Sequence, residues 1–258
     1  MISIGIVGLV GTGVWFYGAP PRDTDPAKAA PVQIAWLYQL YSRNPAEAAA
    51  AADYVRRLGP GALPLIHATL QDPEATPDRV KAAIKACALI GPAAAPAVDE
   101  VAENLSEPSL TSEAAAALSF MGPSAFPPLE RAMSNSEPAV RREALRSIGK
   151  LKERAPLDGA VVVPLLVAGM DDADASVRAV AATYLGIVHE APNDAVRVLT
   201  EGLQDPDADV RRSAAEALAA FGPAAEPAVP ALTRAAGDAD PEVAREAGVT
   251  LVKLQPAK

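Results

Sequence analysis

Residues 205–238 read DPDADVRRSAAEALAAFGPAAEPAVPALTRAAGD, and Asp238 opens the next stretch of the same kind. Asp205 or Asp207 offers a carboxylate oxygen to the free backbone N–H groups of a helix start. Val210, Ala214, Ala217, Leu218 and Phe221 then recur at helical spacing and make one apolar face. Gly222 stops that helix and Pro223 breaks it. A second helix is expected from about Pro227, running through Val229, Leu232 and Ala236. The unit reads as two helices joined by a tight turn.

Working outward, Val210-Arg211 has counterparts in Val177-Arg178 and Val140-Arg141, and Val243 stands where the next pair would begin. The steps between these valines are 37, 33 and 33 residues. The turn recurs as PGALPLI at 60–66, PAAAPAV at 92–98 and PSAFPPL at 123–129. Gly59, Gly91, Gly122, Gly149, Gly186 and Gly222 are each expected to close the first helix of a unit. A period near 33 residues predicts a helical solenoid. Prolines at helix entries lose no hydrogen bond, so 25 of them fit an all-α chain. Half of the residues are hydrophobic and only 4% aromatic, which makes alanine the main packing residue. No pair of helices buries its own face, so stacked neighbours must form the core.

The Asp-x-x-x-x-Val-Arg opening, the central glycine stop and the Pro-x-Leu second helix resemble the HEAT repeat family, in particular its bacterial HEAT-like branch related to phycobilin lyases. The resemblance covers about residues 44–258, with fuller units beginning near 72, 107, 135, 172 and 205. It implies an α-solenoid that supplies a scaffold or binding surface. Residues 107–122 lack the Val-Arg pair, with Ser112-Glu113 in that region. Longer connections predict irregularity around 150–162 and 187–196. By the same resemblance, Arg141, Arg178 and Arg211 would form a ladder of Asp–Arg contacts between repeats, beside Asn135, Asp172 and Asp205. The second helices would line the concave side. Candidate partner-binding residues there are His67, Asp99, Glu100, Glu103, Glu130, Glu201 and Arg234, with Gln71, Arg131 and Arg197 beside them. That face is acidic in its N-terminal half and suits a basic or neutral protein segment.

Three segments are expected: an anchor at 1–19, a Pro/Ala-rich linker at 20–33 and the solenoid at 34–258. Residues 2–19, ISIGIVGLVGTGVWFYGA, carry no charge. As a helix they would span roughly 27 Å, close to a bilayer core of about 30 Å. Trp15, Phe16 and Tyr17 fall where an interfacial belt sits. Gly5, Gly8 and Gly11 leave a smooth stripe for packing against a transmembrane subunit. A cleaved signal peptide and a buried first helix are the rival readings. Arg22 and Lys28 after the span favour a cytoplasmic array, whereas the linker resembles the tethers of exported proteins. The reading adopted is a single-pass membrane protein with an extracytoplasmic array. Trp36, Tyr38 and Tyr41 either cap the open end of the first repeat or make a membrane-interface contact.

The formal charge of −9 argues against nucleic acid, which needs a clustered cationic track. A stacked array offers a surface rather than a small-molecule pocket. Arg142, Arg146, Lys150, Lys152 and Arg154 form a cationic run that reads as a solvated helix face or as a contact for an anionic partner. Catalytic chemistry is sparse. His67 and His189 lie several repeats apart, Cys87 falls on an apolar stripe, and no phosphate loop follows a strand pattern. Asp205, Asp207, Asp209 and Glu216 imitate a calcium loop, but its sixth position is Val210 in place of glycine. No cofactor or metal is expected. The chain reads as a non-enzymatic scaffold, with a soluble or exported adaptor and a bilin-lyase-like enzyme or chaperone as alternatives.

Overall fold

The structure, a computed structural model, describes residues 36–254. The readings of Gly5, Gly8, Gly11, Trp15, Phe16 and Tyr17 therefore lie outside the described residues. All regular elements among the described residues are helical.

Residues 36–39 form α1. Six two-helix units follow: α2 (Pro45–Leu58) with α3 (Leu63–Leu70), α4 (Pro77–Ile90) with α5 (Val98–Glu103), α6 (Thr111–Leu118) with α7 (Phe126–Ala132), α8 (Pro138–Arg154) with α9 (Gly159–Gly169), α10 (Ala175–Val188) with α11 (Pro192–Gly202), and α12 (Ala208–Leu218) with α13 (Val229–Ala235). A further first-type helix, α14 (Pro241–Leu254), closes the described array. Each first helix packs against the first helices before and after it, so α10 lies between α8 and α12.

The local signals explain these boundaries. Asn44, Thr76, Asp158, Asp174 and Asp207 each accept a hydrogen bond from a backbone N–H of the helix they precede. Proline occupies the opening positions of α2, α4, α8 and α11, where its missing N–H costs nothing. Gly59 and Gly91 end α2 and α4 at φ +51° and +72°, a conformation that crowds any Cβ, and Gly122 and Gly222 turn the chain at φ +82° and +51° shortly after α6 and α12 have ended. Pro92 and its counterparts then enter a short 3₁₀ stretch that leads into the second helix.

Gly149 and Gly186 correct the expectation that six glycines mark turns. Both lie inside helices, which continue to Arg154 and Val188. They are small because the next first helix passes very close. A Cβ on Gly149 would sit 2.1 Å from Tyr184 Cδ1, and one on Gly186 would sit 2.7 Å from Ala217 Cα.

The core is a seam shared by neighbouring units. Val140, Val177, Val210 and Val243 are buried at one position of four first helices, and Ala144, Ala181, Ala214 and Ala247 are buried one turn later. Leu166, Leu199 and Leu232, also 33 residues apart, do the same for second helices. Polar bridges cross the seam as well: Ser147 Oγ donates to Ala115 O and Thr250 Oγ1 to Ala215 O, each at 2.8 Å. At the N-terminal end Trp36, Leu37 and Leu40 join the same core, and Lys85 Nζ donates to Leu40 O at 2.8 Å.

Pro77–Ser106 is long and apolar enough to cross a membrane. Half of its apolar window is buried within the solenoid and its helix breaks at Gly91, so core packing accounts for that apolarity.

Candidate functional site

The second helices hold the sequence-derived partner residues on adjacent elements. His67 lies on α3, Asp99, Glu100 and Glu103 on α5, Glu130 on α7, Glu201 on α11 and Arg234 on α13. His67 Nδ1 lies 2.8 Å from Glu100 Oε1, and Gln71 Nε2 donates to the same oxygen at 3.4 Å. Asp99 faces Arg131 of α7 at 3.5 Å. The face running over α3, α5 and α7 is thus one polar surface tied across three repeats. Glu201 instead pairs within its own helix with Arg197, at 3.1 Å. Glu103, Glu130 and Arg234 are exposed and make no ion pair among the described residues.

The aromatic trio divides. Trp36 is only 4% exposed and packs in the core, so its ring offers no surface to a membrane; it covers the seam at the first unit. Tyr38 and Tyr41 are exposed, and Lys85 Nζ stands 4.4 Å from the Tyr41 ring centroid.

The Asp–Arg ladder is built more tightly than the sequence could say. Arg141, Arg178 and Arg211 each reach forward to the loop of the next unit, pairing with Asp172, Asp205 and Asp238. Each also donates through Nη1 to two carbonyls of its own unit, including those of Asn135, Asp172 and Asp205. The arginine hydrogen bonds hold the carboxyls of Asp172 and Asp238 below the usual range. Burial is the largest influence on Asp205 and acts to raise it, but the hydrogen bonds from Arg178 and the Asp207 N–H, with the charges of Arg178 and Arg211, together leave its carboxyl below the usual range. Of the other acids of the apparent calcium loop, Asp207 caps α12 and Asp209 pairs with Arg212 at 2.8 Å.

The cationic run splits by environment. Lys152 pairs with Glu190 at 2.9 Å, and Arg154 lies over Phe120, 4.1 Å from its centroid. Arg142 and Arg146 share the buried Glu143. Sequence reasoning missed that these two arginines, with Arg212 of α12, border one depression, because Arg142 and Arg212 lie two units apart in the chain. Cys87 is fully buried, and burial followed by the charge of Glu100 pushes its thiol up to about 12. Among the described residues no group of three or more His, Cys, Asp or Glu side chains could hold a metal ion.

A family model of HEAT repeats matches residues 163–253, the stretch that contains the ladder at Asp172, Asp205 and Asp238. That stretch carries HEAT repeats. Solved structures agree on the fold of the rest. An importin beta crystal structure superposes with a TM-score of 0.60 at 16% identity, over 87% of this chain and 33% of that one. The E. coli protein YibA gives 0.53 at 16% identity, over 92% and 99%. An engineered protein gives 0.53 at 21% identity, over 90% and 70%. These likenesses establish the fold alone. No curated protein sequence matches the chain.

Proposed function

We propose that this HEAT-repeat chain is a non-enzymatic, membrane-tethered scaffold whose second-helix face receives a basic or neutral segment of a protein partner. The observation that carries the interaction role is the continuous polar surface over α3, α5 and α7, where the exposed Asp99 and Glu103 of one repeat and Glu130 of the next stand beside His67 of a third. A repeat scaffold presents such a row at fixed spacing, which suits an extended segment better than a small molecule. The non-enzymatic reading is supported by the full burial of Cys87, whose thiol burial pushes up to about 12.

Tethering rests on the sequence of residues 2–19, uncharged and ending in three aromatics. In this reading the array is extracytoplasmic and the chain is an accessory subunit, its glycine stripe packed against a transmembrane partner. Gentle-detergent purification of the full chain, with mass spectrometry of what co-purifies, tests both parts. Reversing Asp99, Glu100 and Glu103 to lysine is expected to abolish capture of the partner while leaving the chain in the membrane fraction. Unchanged capture contradicts the proposed face. Release of the full-length chain by carbonate contradicts the tether and favours a soluble or exported adaptor.

A further inference from the structure

The outer row of α10 departs from those of its neighbours. Two and six residues after the buried valine, α8 carries Arg142 and Arg146 and α12 carries Arg212 and Glu216, whereas α10 carries Ala179 and Thr183. Long side chains therefore flank a helix of short ones, and a trough of 430 Å³ lies along it. Ala175, Ala179, Val180 and Thr183 make its floor. Ala175, Ala179 and Thr183 are four residues apart, and Ile187, 40% exposed, continues the row. From 175 to 187 the row runs about 18 Å. Short side chains at that spacing leave the groove into which the ridge of another helix packs.

The two walls differ electrically. Arg142 Nε and Arg146 Nε face the Glu143 carboxylate at 3.2 and 3.8 Å. Among the described residues the Nη nitrogens of both arginines donate no hydrogen bond, although each side chain is partly exposed beside the trough. On the opposite wall Arg212 already pairs with Asp209 at 2.8 Å, and Asp207 is occupied as a helix cap. Arg212 also keeps Nε and Nη1 without a hydrogen bond among the described residues, but Asp207 and Asp209 beside it outweigh its charge, so net positive charge lines only the Arg142–Arg146 edge.

We propose that this trough docks an amphipathic helix of a partner protein, with an acidic edge facing Arg142 and Arg146 and small apolar side chains on the α10 floor. Charge complementarity selects the acidic edge, and the four-residue row selects a helix. An anionic bilayer fits less well, since a flat surface cannot reach a floor between two helices and meets Asp207 and Asp209 on the far wall. The site lies on first helices and is independent of the second-helix face.

The probe is a labelled helical peptide of about four turns, leucine and alanine along one face and glutamate along one edge, titrated by fluorescence anisotropy with the full chain. Arg142→Glu combined with Arg146→Glu is expected to weaken binding about tenfold or more, and a peptide with lysine for glutamate is expected to bind that variant instead. Ala179→Trp, which fills the floor, is expected to weaken both. Circular dichroism melts check that the variants fold. No binding by the parent chain, or equal binding by all variants, overturns the proposal. So does peptide binding unaffected by the variants alongside binding to phosphatidylserine vesicles that they abolish.

Discussion

Arg178 of α10 and Asp205, two residues before the cap of α12, meet through two parallel hydrogen bonds of 2.8 Å, Nε to Oδ2 and Nη2 to Oδ1. The same guanidinium donates from Nη1 to Asp172 O and Ala173 O. One side chain therefore holds the loop of its own unit and the loop of the next. Removing it leaves Asp205 without its main donor in a largely covered site. Arg178→Ala is expected to cost roughly 2 kcal/mol in urea unfolding, and Arg178→Lys to recover only part, because an ammonium cannot make the paired contact.

The ladder also sets an acid limit. Asp172, Asp205 and Asp238 have folded pKa values below their ordinary range. A depressed carboxyl contributes stability that is present above its unfolded value of about 3.9 and lost as pH falls through the folded value. Thermal melts are therefore expected to hold steady toward pH 5 and to fall below about pH 4. Asp172→Asn, Asp205→Asn and Asp238→Asn together are expected to lower the melting temperature at pH 7 and flatten this acid slope.

Among the described residues the Asp–Arg rungs lie within α8–α14, whereas α4 and α6 share only the longer Lys81–Glu113 pair at 3.8 Å, and the two halves should differ in dynamics. Between the third and fourth units the rung position is Asn135, whose Nδ2 reaches Ser106 Oγ at 3.3 Å without charge. In the second unit Arg79 turns back to Asp72 of its own unit, and its buried Nε has no partner. Hydrogen exchange is expected to be slower in α10 and α12 than in α3 and α5. Equal protection throughout would show that the ladder adds nothing measurable.

Two interior glycines make a paired test. Gly149→Ala forces a methyl group onto the Tyr184 ring and is expected to cost about 1–3 kcal/mol. Gly248, inside α14, has nothing within 4 Å of its would-be Cβ. Gly248→Ala is expected to stabilise by roughly 0.5–1 kcal/mol through helix propensity. Denaturant midpoints of the two variants should move in opposite directions.

The fold was largely legible in the sequence, since the valine spacing, the Gly-Pro turns and the acidic caps are local signals. Gly149 and Gly186 were not, because a glycine that ends a helix and one that admits a neighbour look alike in one chain; only Tyr184 and Ala217 distinguish them. Trp36 is ambiguous for a related reason, its burial depending on the seam it covers. The ladder's register was readable, whereas its direction, with the Arg141 guanidinium paired forward to the Asp172 carboxylate while Nη1 holds the Asn135 carbonyl, needed the stacked geometry. The second-helix residues could be placed on their helices, but not the contact of His67 with Glu100, which joins two units. The trough escaped entirely, because it exists only where α8, α10 and α12 lie side by side.

Site-specific photo-crosslinking in native membranes reaches the central claim most directly, with the crosslinker placed in turn at Glu103, Glu130, Glu201 and Arg234, and at Ala116 on a first helix. The account predicts that the second-helix positions yield adducts with one common protein partner while Ala116 yields none. Adducts from Ala116 alone, or from none of the second-helix positions, would contradict it.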